Sequence, residues 1–92
     1  MCLWRNNTGA LEDKRGRLVR YGLCKGSADL IGILAPTGRL VALEVKRPGE
    51  RPTEEQERFL ALVRSMGGFG AVVRDAYEAN RAVERARMGG VE

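Results

Sequence analysis

Gly26-Ser-Ala-Asp29-Leu-Ile-Gly-Ile-Leu34, a turn at Pro36-Thr37-Gly38, and Arg39-Leu-Val-Ala-Leu-Glu44-Val-Lys46 make up the stretch around which the chain is ordered. Two apolar runs flanking a Pro/Gly turn read as neighbouring antiparallel strands. Side chains alternate along a strand, so Leu40, Ala42, Glu44 and Lys46 share one face while Val41, Leu43 and Val45 take the other. A hairpin returns the end of its second strand to the start of its first. Asp29 is thereby set beside Glu44 and Lys46, and two carboxylates and an ammonium gather at one end of a sheet.

Downstream, Arg47-Pro48-Gly49-Glu50-Arg51-Pro52 is a loop by composition. Thr53 and Gln56 have the spacing of a capping box, and Phe59, Leu62, Val63 and Met66 recur at helical spacing until Gly67-Gly68 stops the pattern. Phe69 to Val73 reads as a core strand. Asp75 and Glu78 then open a second helix with Ala79, Ala82, Val83 and Ala86 on its inner side, ending at Gly89-Gly90. A strand–helix–strand crossover puts this last strand parallel to the one carrying Glu44. Upstream, Leu3-Trp4 enters a polar loop, with Trp4 expected as a core anchor, and Arg17 to Tyr21 alternates as a strand expected to pair with the central hairpin. Gly32, inside a strand, marks a bulge or a close approach. The expected fold is α/β, a small mixed sheet flanked by helices, in a single domain over residues 1–92.

The totals bound the function. A chain of 92 residues with 43% hydrophobic residues is near the lower limit for a self-sufficient core, which favours burial of further surface in a homodimer. A net charge of +4 inclines it weakly towards polyanions. The sequence has no histidine, which excludes His triads and His-ligated zinc and leaves carboxylates, lysine and hard metal ions. Cys2 and Cys24 form no CxxC pair and read as reduced thiols of a cytoplasmic protein. No run suits a signal peptide or a membrane span, and the glycine spacing matches no phosphate loop, so neither a membrane nor a nucleotide cofactor is expected.

Asp29 and Glu44 suit a hard divalent cation, Mg²⁺ or Mn²⁺, which takes one or two carboxylates from protein; the carbonyl of Val45 offers a third oxygen. Lys46, on the same face, can hold a water or a phosphoryl oxygen. Those parts meet the needs of phosphodiester hydrolysis: an activated water and neutralised transition-state charge. Basic and polar residues near the cluster, Arg5, Asn6, Asn7, Arg15, Arg17, Arg20, Lys25, Arg47 and Arg51, are candidate contacts to a DNA backbone. Each has a plain reading beside it. Glu44 and Lys46 alone are a same-face surface pair, Gln56 is a capping partner, and loop arginines are commonly solvated.

The stretches Trp4–Ala10, Gly26–Gly32, Gly38–Lys46, Arg51–Gln56 and Gly67–Arg74 together resemble the VRR-NUC branch of the PD-(D/E)xK (restriction-endonuclease-like) nuclease superfamily. The resemblance implies Asp29 and Glu44 as metal ligands, Lys46 as the catalytic lysine and Gln56 as an accessory site residue. It further implies a Mg²⁺- or Mn²⁺-dependent DNA endonuclease, in small stand-alone members a homodimer acting on branched DNA such as four-way junctions. Two departures stand out. Related chains often carry an upstream helix whose Glu joins the metal site, and Glu12 is the nearest upstream acid here. The arginine pair that gives the branch its name reads Val73-Arg74-Asp75. The alternatives are a catalytically impaired DNA-binding module on the same fold, or an interaction protein.

Overall fold

The computed structural model describes residues 1–6, 9–12, 18–21 and 26–92. Its main sheet has four strands: β1 (Cys2–Arg5), β4 (Leu30–Leu34), β5 (Arg39–Val45) and β6 (Phe69–Val73), in the order β1-β4-β5-β6. β2 (Gly9–Glu12) and β3 (Leu18–Tyr21) pair antiparallel in a separate two-stranded sheet. β4 and β5 are the expected antiparallel hairpin, with Leu30 opposite Leu43, and β6 runs parallel to β5 as the crossover required. The hairpin turn contains a cis Ala35–Pro36 peptide.

Two helices sandwich the sheet. α1 (Glu54–Ser65) packs on β5 and β6, and its Phe59, Leu60 and Val63 meet Ala28, Ile31 and Ala42. On the other face α2 (Ala76–Arg87) brings Ala82 and Ala86 against Leu34, Val41, Leu43, Phe69, Ala71 and Val73. Each strand of the hairpin thus feeds both layers, in the alternation that the sequence dictates. Both caps are as expected: Thr53 and Gln56 form a full capping box, and Asp75 accepts from the amide of Glu78. That role explains the acid after Arg74. No helix among the described residues is long and apolar enough to cross a membrane.

The lower ends of both layers are tied by one side chain. Arg39 donates to the carbonyls of Gly67 (2.8 Å), Ala86 (3.0 Å), Gly68 (3.3 Å) and Gly90 (2.6 Å). These belong to the C-terminal turns of the two helices and the segments that follow, where carbonyls lack intrahelical donors and the dipole favours a cation. The chain end meets the outer edge of β6 at Gly70: the amide of Gly70 donates to Val91, and Arg64 donates to the carbonyl of Gly70 while pairing with Glu92 at 3.3 Å.

Three expectations are corrected. Trp4 is no core anchor; it lies on edge strand β1 opposite Ile31 and keeps 46% of its surface exposed, because α1 packs two strands away. β3 does not join the central hairpin, since β1 occupies the outer side of β4. Gly32 makes that possible: a Cβ there would sit 2.7 Å from the carbonyl oxygen of Cys2. On α1 Phe59 and Val63 are buried as the spacing predicts, but Leu60 completes the inner stripe while Leu62 and Met66 are exposed, so the stripe is rotated from the one read by spacing.

Candidate functional site

Glu44 is the only charged residue buried among the described residues, at 1% exposure, and it lies at the end of β5 on the α1 face. The register that pairs Leu30 with Leu43 carries Asp29 to the position opposite Glu44. Asp29 is held there by its own carboxylate, whose Oδ2 accepts from the amide of Val45 at 2.9 Å. A strand residue directs its N–H and C=O to the same edge, so the carbonyl of Val45 faces the Asp29 side as well. Lys46 places Nζ 3.7 Å from Glu44 Oε1 and is 15% exposed. Its own amide donates to Val73, fixing the backbone at the strand end.

Gln56 unites the two readings open to it. Its Oε1 accepts from the amide of Thr53 at 2.8 Å, completing the cap, while its Nε2 donates to Glu44 Oε1 at 3.0 Å. One rigid helix start therefore fixes one oxygen of the buried carboxylate. The other, Oε2, is buried without a hydrogen-bond partner. Burial first, then the adjoining Asp29 carboxyl, raises the pKa of Glu44 from 4.5 to about 7, against the opposing pull of Lys46. An orphaned, buried carboxylate oxygen beside a second carboxylate is a deficit of positive charge. The donor set is oxygen only, which fits Mg²⁺ or Mn²⁺. Among the described residues no third Asp, Glu, His or Cys joins the pair. Glu12, the nearest upstream acid, falls on β2, outside the main sheet.

The expected DNA contacts divide. Arg5 ends β1 and pairs with Leu30, next to Asp29, and it is exposed. Arg47 and Arg51 are exposed in the loop beyond Lys46; the amide of Arg47 donates to Glu50. Arg74 donates to the carbonyl of Glu50. Arg20 lies on β3, while Asn7, Arg15, Arg17 and Lys25, like Cys24, lie outside the described residues. Asn6 is differently engaged: its Nδ2 donates to Ser27 Oγ (2.9 Å) and to the carbonyl of Ala28 (3.1 Å). That contact and the Arg39 clasp escaped the sequence reading, because both join segments distant in the chain and neither has a local spacing signature.

A sheet with an acid at the head of one strand, Glu-x-Lys at the tail of the next and a capped helix over the buried Glu defines a nuclease fold of the PD-(D/E)xK kind. A family model, VRR-NUC domain, matches residues 2–76, and the chain belongs to that family of nuclease domains, which take DNA as substrate. No curated protein and no solved structure matched in the corresponding comparisons.

Proposed function

We propose that this domain is a divalent-metal-dependent DNA endonuclease, selective for branched substrates such as four-way junctions and acting as a homodimer. The observation that carries the metal-dependent reading is the buried, unpartnered Oε2 of Glu44 beside Asp29. Asp29, Glu44 and the carbonyl of Val45 would hold Mg²⁺ or Mn²⁺. When bound, such an ion acidifies water and polarises the phosphoryl group. The residues of the chain do the rest. Gln56 keeps Glu44 Oε1 in place, and Lys46 offers an ammonium to the attacking water or a non-bridging oxygen. Glu44 on β5 and Lys46 just past its end are two residues apart on backbone pinned by the Lys46 amide to Val73, which fixes their separation. Arg5, Arg20, Arg47 and Arg51, with Asn7, Arg15, Arg17 and Lys25, track phosphates, consistent with the net charge of +4. Branched-substrate selectivity and the dimer rest on family resemblance; a two-fold axis would present two sites to two strands.

The test incubates wild type and Lys46→Ala with four-way, flap and linear duplex DNA in Mg²⁺, Mn²⁺ or EDTA. Wild type is expected to cleave the junction in preference to the flap and the linear duplex, and only with metal, and Lys46→Ala to cleave it about 10²–10³-fold more slowly. Equal cleavage by the variant would assign the activity to another site. A second reading, a DNA-binding module without catalysis, is favoured by the pairing of only two acids among the described residues. It predicts junction binding with no product at any divalent-ion concentration.

A further inference from the structure

Asp29 is exposed and precedes β4, yet the segment that delivers it is held on both sides. On one side Gly26, at φ +81°, lies so close to α1 that a Cβ would meet the carbonyl oxygen of Glu55 at 2.6 Å. On the other, Asn6, the residue that follows β1, grips three successive residues. The backbone amide of Asn6 donates to the carbonyl of Asp29 at 2.8 Å, and its side-chain amide donates to Ser27 Oγ and the carbonyl of Ala28. Ala28 is fully buried in the α1-side core. A primary amide has two hydrogens, and both are engaged with this segment, so none remains for a phosphate oxygen.

We infer that Asn6 is a positioning residue: it sets the backbone of Ser27–Asp29 so that the Asp29 carboxyl stands opposite Glu44, and it is not a DNA contact. The inference rests on Asp29 and Glu44 forming a metal site. Asn6 touches neither the ion nor the substrate; it acts through Asp29. Partners of this kind govern how well ligands are oriented, and their loss typically weakens metal binding by about 10–100-fold.

Mn²⁺ binding to the DNA-free protein, measured by calorimetry, separates the possibilities when combined with junction affinity in EDTA and cleavage as a function of Mn²⁺. For Asn6→Ala the expected result is Mn²⁺ affinity lower by roughly ten-fold or more, junction Kd in EDTA unchanged, KM for DNA unchanged, and kcat restored by excess Mn²⁺. Ser27→Ala deletes one of the same bonds without touching β1 and should give a smaller loss in the same direction; it serves alone if Asn6→Ala does not fold. Unchanged Mn²⁺ affinity in the folded variants overturns the inference, and weaker junction binding in EDTA would then make Asn6 a phosphate contact. If wild type binds Mn²⁺ and cuts while the variants bind Mn²⁺ equally well, only the positioning role fails. If wild type binds no Mn²⁺, the metal-site reading fails with it.

Discussion

Glu44 stands where a carboxylate is hardest to keep ionised: out of water, next to another acid, with one oxygen lacking a donor. Its pKa near 7 means that between about pH 4.5 and 7 the folded, metal-free protein binds a proton the unfolded chain has released. Glu44's contribution to stability therefore falls as pH rises through that window. Glu44→Gln keeps the shape and removes the ionisation. In EDTA the two proteins should melt close together at pH 5, whereas at pH 8 the variant should melt higher by about 5 °C, as read by circular dichroism. Parallel melting at both pH values would show that Glu44 is not strained. Arg39 is the opposite case, a cation among four carbonyls. Arg39→Lys keeps the charge and loses the fork, and should cost about 2 kcal/mol, seen as a lower urea midpoint with unchanged slope.

At the level of the elements, the parts legible in the sequence are those whose partners are near in the chain or share a period. The hairpin announced itself by two apolar runs around Pro36 and Gly38, and alternation set Glu44 and Lys46 on one face. The Thr53–Gln56 spacing revealed the helix start. What stayed hidden depends on which strand neighbours which. Trp4 resembles a core residue until β1 proves to be an edge, and Leu62 fits the helical stripe until α1 is seen to bury Leu60 instead. The candidate site was legible in its acids, lysine and glutamine, but not in Asn6, whose partners lie 21 and 22 positions away. Two substitutions probe the elements separately. Thr53→Ala removes the cap and should destabilise by about 1 kcal/mol in chemical denaturation. Gly32→Ala pushes against Cys2 and should displace β1, costing about 1–3 kcal/mol and, since Asn6 follows β1, lowering Mn²⁺ affinity as well.

For the whole molecule, the excess of positive charge matters less by its size than by where it lies relative to the acids. Arg5, Arg47 and Arg51 occupy the strand ends and loop around Asp29 and Lys46, so a phosphate chain drawn to them passes the carboxylate pair. Replacing Arg47 and Arg51 with Gln should weaken junction binding and flatten the dependence of log K on log salt by about 2, measured by fluorescence anisotropy in EDTA. An unaltered slope would remove that loop from the DNA path. The C-terminal residues have a different consequence. Val91 occupies the amide of Gly70, and Gly90 supplies one of the acceptors of Arg39. Deleting Gly90–Glu92 would thus do more than shorten a tail. It would free the Gly70 amide on the outer margin of β6, and the shortened protein should self-associate more readily on concentration, by strand pairing between molecules.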